Sequence, residues 1–409
     1  MKSKNKIIYI GGTPISKIQG DKLDIDNLVK SGFEIEYWDL TNLFYSKESL
    51  DLYFGGHPDF RFKFPLERKF FDKYAVKKEL EKIEKNTIFC FNDIFIQSHF
   101  WLLRYFKKIG IPYFVGPRRT PPEVSVVQKN APNNLLFRLL ISIFDGSIIK
   151  KLTSSVESNI NNIFLHQLNL LIYRNTDYYK KPDFVIGCGL IGKALWTDSF
   201  CINKFVSIDS NDVIWTKIPD LVNERYCVYV DESIVYSPDR GLYEPDKRNS
   251  ASSDFESFKK NMRLVFDNIE AILGLKVIIA CSAKYKYQNE SIYGDRQMIY
   301  DKTNQLIQHS DFALGHCSSG LFQAIISKKP IILLDDPSFS DFKKNNIKSF
   351  SEFLKAKIML TNNFSSNDFN VELKNENVEH YEILEEKYFK EKNSIQSYHQ
   401  FIVDFFNKY

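Results

Sequence analysis

The sequence predicts an α/β fold on parallel sheet, arranged in two halves. Three observations lead there. Short apolar runs alternate with amphipathic helical stretches, the pattern of strand–helix–strand units. Several runs are apolar throughout, as in Ile7-Ile8-Tyr9-Ile10, which marks strands buried on both faces. The alternation restarts near residue 222, and 409 residues suit two or three domains at about 100–200 residues each.

The first half opens with the strand 7–10, then the turn Gly11-Gly12-Thr13. A helix over about 22–31 follows, stopped by Gly32, which suits the left-handed position after a helix end. A strand over 33–40 comes next. A strand at 87–91, a helix at 98–108, a stop at Gly110 and a strand at 112–115 make a further unit.

Residues 117–182 break the rhythm. Pro117, Pro121, Pro122 and Pro132 punctuate the start, and helices are expected over 133–150 and 156–175. The stretch 133–151 is strongly apolar and ends in Lys150-Lys151. It reads as a buried helical insertion or as a basic, aromatic surface helix for a membrane or an acceptor. Strands resume at 182–187 and 204–208.

The second half repeats the architecture. Strands are expected at 226–230, 275–280, 312–314 and 330–334, and helices at 254–273, 300–310 and 319–327. Ser252 or Ser253 offers a cap to the first of these helices, and Gly274 stops it. The tail beyond 380 is a charged helix followed by apolar residues 401–406.

Composition excludes several classes. Hydrophobic residues at 44% and charged residues at 26% rule out wholesale disorder. The net charge of +4 is too weak for nucleic acid as the main partner. No run approaches the ~20 apolar residues of a membrane span, and 7–10 is too short for a signal peptide. Six cysteines without paired spacing point to reduced thiols and a cytoplasmic location. The seven histidines show no ligand spacing, so no metal is expected. Neither Gly-x-Gly-x-x-Gly nor a Walker A sequence occurs.

Three segments carry candidate chemistry. In Gly315-His316-Cys317-Ser318-Ser319-Gly320, a strand passes through a small, polar turn into a helix. Such a turn offers backbone N–H groups, two hydroxyls and the positive helix end to an anion. His316 stands where it would donate to a phosphate. Ser282, Lys284 and, further on, Arg296 and Lys302 follow the preceding strand and would complement a nucleotide phosphate. Asp231-Glu232 ends the strand 226–230, where a carboxylate would deprotonate an attacking hydroxyl or attack an anomeric carbon. Each segment also has a plain reading, as helix cap, turn or solvated surface.

On these residues, 226–334 resembles the C-terminal half of bacterial GT-B glycosyltransferases of capsule and lipopolysaccharide biosynthesis. The matching pieces are Val230-Asp231-Glu232, Gly294-Asp295-Arg296, Lys302-Thr303, His316-Cys317-Ser318-Ser319 and Lys329-Pro330-Ile331. Two pieces depart: Cys281-Ser282-Ala283 and Ser237-Pro238-Asp239 stand where relatives often read His-Pro and His-Pro-Asp.

The resemblance implies two Rossmann-like domains facing a cleft. The acceptor domain would be 1–220, with the insertion at 117–182 and the helix 385–409 packing back on it. The nucleotide-sugar domain would be 221–384. Asp231 and Glu232 would be catalytic. Ser282, Lys284, Arg296, Lys302, His316, Ser318, Ser319 and Gly320 would bind the donor, and Gly11, Gly12 and Thr13 would line the first domain's side of the cleft. The donor would be a nucleotide sugar, with CMP-activated acids such as Kdo or sialic-like sugars favoured and UDP or GDP sugars allowed. No metal or other cofactor is implied. The acceptor would be a glycan or lipid-linked glycan, with peripheral residence at the inner face of the cytoplasmic membrane open. Two alternatives share the fold: a nucleotide-sugar epimerase or hydrolase, and a catalytically inactive subunit of a polysaccharide assembly.

Overall fold

A computed structural model of the chain describes residues 5–13, 15, 17–55, 61–84, 86–93, 96–118, 168–200, 204–210, 217–234, 255–282, 285–287, 291–365, 375–391 and 397–408. It contains two all-parallel sheets, the fold class expected from the sequence. The first is built from β1 (Lys6–Gly11), β2 (Glu34–Asp39), β3 (Glu67–Lys69), β4 (Thr87–Asp93), β5 (Tyr113–Arg118), β6 (Phe184–Gly187) and β7 (Phe205–Ser207). Its order is β3-β2-β1-β4-β5-β6-β7. The second comprises β8 (Tyr226–Val230), β9 (Lys276–Cys281), β10 (Met298–Tyr300), β11 (Ala313–Gly315), β12 (Ile331–Asp335) and β13 (Lys357–Leu360), in the order β10-β9-β8-β11-β12-β13. That is the Rossmann order 3-2-1-4-5-6.

The two-residue period of a strand divides each sheet between two cores. In β1, Ile8 and Ile10 pack with Trp38, Phe89, Phe91 and Phe106 on one face. Ile7 and Tyr9 pack with Ile35, Tyr37, Cys90 and Phe114 on the other. Each such side chain contributes about 1.5–3 kcal/mol by leaving water, which is why these runs lack polar alternation. Glu36 is the exception, a carboxylate 1% exposed within β2. It is neutralised by Lys6 at 2.7 Å and Arg68 at 2.5 Å and accepts the Trp38 indole N–H at 2.8 Å, as a buried charge requires.

Several elements differ from expectation. The helix expected over 22–31 is formed only over Ile25–Lys30; a separate short helix, Lys17–Asp21, precedes it, and the two are divided where Asp24 takes a left-handed conformation at φ 51°. The helix expected from 300 begins at Thr303, because Met298–Tyr300 pairs with β9. Strands β3, β10 and β13 were not expected. They are three or four residues long and sit at or beside sheet edges, too short for a period to register. The expected helix 133–150, Lys284 and Asp239 lie outside the described residues, and the expected helix 156–175 is described only over 168–175, which is helical.

The chain end returns to the first sheet. The helix Asn375–Tyr388 packs Tyr381, Leu384 and Tyr388 into the second core and lies against the helix Leu190–Phe200. Contact there is close: a Cβ on Gly189, whose φ is +71°, would lie 2.2 Å from the Lys387 carbonyl oxygen. The last helix, Tyr398–Lys408, joins the core of the first sheet, and the Tyr398 and Tyr9 hydroxyls are 2.9 Å apart.

Candidate functional site

The switch point of the second sheet lies between β8 and β11, whose connections leave in opposite directions. Open α/β sheets bind ligands at such a point, outside the carboxyl ends of the strands. Here the two strand ends are Asp231-Glu232 and His316-Cys317-Ser318-Ser319-Gly320.

Glu232 joins them. Its Oε1 accepts the Cys317 backbone N–H at 2.6 Å, and its Oε2 accepts the Lys343 ammonium at 2.5 Å. Lys343 comes from the helix Asp341–Leu354 and also lies 3.0 Å from the Cys317 sulfur. Burial, the largest single influence, would raise the Glu232 pKa; the facing Lys343 ammonium, the His316 ring and the Cys317 N–H together outweigh it and hold the carboxyl below its ordinary value. At Lys343 burial pulls the pKa down, and Glu232 and Cys317 together outweigh it and raise it. The side chains of Glu232 and Lys343 remain 15% and 19% exposed, so a fixed ion pair borders the crevice.

Asp231 is set deeper, at 4% exposure. Its Oδ1 accepts the Tyr293 hydroxyl and the Ser233 N–H, both at 3.0 Å, and its Oδ2 accepts the Tyr287 hydroxyl at 2.8 Å. Burial pushes its pKa up to about 6 against the pull of these three donors. The carboxyl therefore organises the loop between β9 and β10, and both oxygens are already engaged.

His316 does not face a ligand. It is fully buried, its Nδ1 is 2.6 Å from the Leu334 carbonyl, and its Nε2 is 2.9 Å from the Tyr229 hydroxyl. A carbonyl only accepts, so Nδ1 carries the proton and Nε2 accepts from Tyr229. Burial lowers its pKa to about 4. The expected phosphate donor is thus a neutral core histidine that fastens β8 to β12.

The Ser318 hydroxyl oxygen accepts the Gly320 N–H at 3.1 Å and caps a short 3₁₀ turn, Ser319–Leu321, which runs into the helix Phe322–Ile326. Ser319 is exposed at its start. A Cβ on Gly320 would meet Val230 at 3.0 Å, so glycine lets this turn lie on the end of β8. Ser282 is half-buried at the end of β9. Lys302 is exposed beside β10, at the N-cap of the helix Thr303–His309.

Arg296 is drawn elsewhere. Its guanidinium donates to both oxygens of Glu270, to Asp267 and to the Tyr293 carbonyl, and it lies over the Phe266 ring. It clamps the Gly294 turn to the helix Phe255–Leu273, which leaves it no free edge for a phosphate.

In the first domain the glycines answer to packing. A Cβ on Gly11 would lie 2.1 Å from the Tyr37 hydroxyl, and one on Gly12 would lie 2.7 Å from the His99 ring. Thr13 is buried. Beside them, past the end of β2, is a cavity of about 150 Å³ lined by Tyr37, Asp39, Thr41, Lys47, Asp51 and Arg61. Asp39 is fixed there by Thr41 and by Arg61 at 2.7 Å.

Sequence reasoning missed Lys343, Tyr287, Tyr293 and Asp336. The Asp-Pro-Ser turn at 336–338 was a signal: Asp336 accepts from Ser338, Thr361 and Asn261, pinning the ends of β12 and β13 to the helix Phe255–Leu273. Among the described residues no group of three or more His, Cys, Asp or Glu is placed to hold a metal, and no helix is long and apolar enough to cross a membrane.

No family model matches the chain, and no curated protein does. Solved structures similar to it include the glycosyltransferase SnogD from Streptomyces nogalater, at 9% identity over 99% of this chain and 100% of that one, with a TM-score of 0.47. Another is a ugt transferase from Siraitia grosvenorii in complex with UDP, at 10% identity over 98% and 99%, TM-score 0.48. A third is the UDP-GlcNAc 2-epimerase from Methanocaldococcus jannaschii, at 12% identity over 99% and 100%, TM-score 0.44.

Proposed function

We propose that the protein is a metal-independent glycosyltransferase that takes a nucleotide-activated sugar at the β8/β11 switch point. The observation that carries this reading is the Glu232–Lys343–Cys317 junction, an ionised carboxylate and a fixed cation held together at the crevice where a Rossmann sheet accepts its ligand. The sequence resemblance over 226–334 supports it. Ser318, Ser319, Ser282 and Lys302 face the donor phosphate, and Lys343 adds its charge. Glu232 takes the proton of the acceptor hydroxyl as that oxygen bonds to the anomeric carbon. The bond from that carbon to the phosphate oxygen breaks, and the electron pair leaves with the nucleotide. Asp231 positions the Tyr287–Tyr293 loop beside this reaction. A CMP-activated acid is the favoured donor, ahead of UDP or GDP sugars, and a bacterial surface glycan is the acceptor, bound against the first domain.

The test is a thermal-shift panel of CMP, UDP, GDP and their sugars, with and without EDTA. A ligand at 100 times its dissociation constant stabilises the fold by about 2.7 kcal/mol. A selective CMP response indifferent to EDTA is the expected result, and no response to any nucleotide overturns the reading. The engagement of both Glu232 oxygens, by the Cys317 N–H and the Lys343 ammonium, favours one second reading, a binding subunit without turnover. Donor binding with no transfer to any acceptor selects it.

A further inference from the structure

The first domain carries a face that the reaction does not use. The helices Lys73–Leu80 and Ile96–Ile109 and the segment 168–181 lie in one layer: Val76, Leu80, Leu102, Leu103, Phe106, Tyr173 and Tyr179 all enter the same core. Their opposite side carries exposed rings among the described residues. Phe71 is 72% exposed and Tyr74 is 66% exposed, with Leu66 and Tyr178 above 40%. On a folded surface such apolar groups are common singly, but these are interleaved with cations. Lys78 lies 4.6 Å from the Tyr74 ring centroid, Arg104 4.7 Å from that of Tyr178, Lys77 5.9 Å from that of Tyr105 and Lys73 5.7 Å from that of Trp101. Rings and cations therefore share one surface across all three elements.

The charge is concentrated there. Residues 71–82, 96–109 and 174–181 hold ten Lys or Arg and four Asp or Glu, a net +6 where the whole chain carries +4. Of the four acids, Asp72 caps its own helix at Ala75, Glu79 is paired with Arg68 and Lys82, and Glu81 accepts from Tyr105. The helix Ile96–Ile109 has no acid at all, and Arg104, Lys107 and Lys108 are exposed on it. Aromatic rings that partition to the level of lipid headgroups, beside lysines and arginines that pair with anionic ones, match a bilayer interface.

We propose that this face docks the protein on an anionic membrane surface, with Phe71 and Tyr74 entering the headgroup layer and Lys73, Lys77, Lys78, Arg104 and Lys108 facing acidic lipids. The inference stands independently of the donor chemistry, since none of these residues belongs to the β8/β11 site.

The full chain is sedimented with vesicles of phosphatidylcholine containing about 30 mol % phosphatidylglycerol, and with pure phosphatidylcholine. Binding at least about tenfold tighter to the anionic vesicles, weakened by salt, is expected. K78E/K108E, both exposed, lowers that affinity at least about tenfold, and F71S/Y74S lowers it about fivefold while keeping its salt dependence. Melting curves confirm that both variants are folded, and the nucleotide panel reports the donor site separately. Failure of the native protein to sediment overturns the proposal, as does indifference to the charge reversals. Tighter binding of a single-stranded oligonucleotide than of vesicles in the same buffer also overturns it, in favour of a nucleic-acid face.

Discussion

Lys343 and Glu232 form an ion pair across 111 residues of chain, at the one place where β8, the loop after β11 and the helix Asp341–Leu354 meet. Neither side chain is more than 19% exposed. Each therefore depends on the other to tolerate its burial. That dependence makes the junction the most exacting test of the structure.

Removing one partner leaves a charge buried without its match, which costs about 3–5 kcal/mol in a closed setting and somewhat less at this partial exposure. K343M is expected to lower stability by about 2–3 kcal/mol in urea unfolding. E232Q/K343M recovers most of that loss, because a neutral amide still accepts the Cys317 N–H. Equal destabilisation by the single and double variants counts against the coupling.

In transfer assays E232Q is expected to reduce kcat by about a hundredfold or more, with the nucleotide thermal shift retained. A loss of donor binding instead assigns Glu232 to the donor grip.

Asp231 and His316 oppose each other in acid. The folded-state pKa of Asp231, about 6, lies above the ordinary 3.8, so its carboxyl contributes stability at low pH that is lost as pH rises from 3.8 to 6. The folded-state pKa of His316, about 4, lies below the ordinary 6.5, so its neutral ring contributes stability above pH 6.5 that is lost as pH falls towards 4. At 1.36 kcal/mol per unit each effect is about 3 kcal/mol, and they nearly cancel. D231N leaves the histidine unopposed. Its stability is expected to fall by about 3 kcal/mol more than the native protein's between pH 6.5 and 4, read by unfolding at a series of pH values. Parallel profiles for the two proteins would contradict the assignment.

Arg296 is a clamp, so R296A is expected to cost about 2 kcal/mol, tempered by the exposure of Asp267, while leaving the nucleotide response intact. A stable R296A that no longer responds to nucleotide would restore the phosphate role.

Gly189 is held at φ +71° with the Lys387 carbonyl 2.2 Å from where a Cβ would sit. G189A strains the backbone and collides with backbone. A loss of 2 kcal/mol or more is expected in thermal unfolding.

The strands legible in the sequence are those buried on both faces. β1, β8, β9 and β12 read as unbroken apolar runs because both sides of each sheet are covered. β10 and β13 escaped because three or four half-exposed residues carry no period. The position of the candidate site was legible for the same reason: a turn after a recognisable strand is a strand end. Its inner geometry was not. Whether His316 looks outward or into the core depends on the Leu334 carbonyl and the Tyr229 hydroxyl, which only the folded sheet brings to it. Lys343 lies at an ordinary helix start, with nothing in its neighbours to distinguish it from the adjacent Lys344.

The contact of Tyr398 with Tyr9 sets an order on biosynthesis. The last strand of the first sheet ends at Ser207, yet the helix that closes its core begins only at Tyr398. At about 5–20 residues per second, that sheet leaves the ribosome tens of seconds before its own cover is made. During that interval Ile7, Ile35 and Phe184 lack the Phe401 and Ile402 side chains that share their core. The second domain, though later in the chain, has its sheet made before the first domain's core can close. A nascent chain stalled before residue 398 presents an open apolar face, the surface a chaperone would hold.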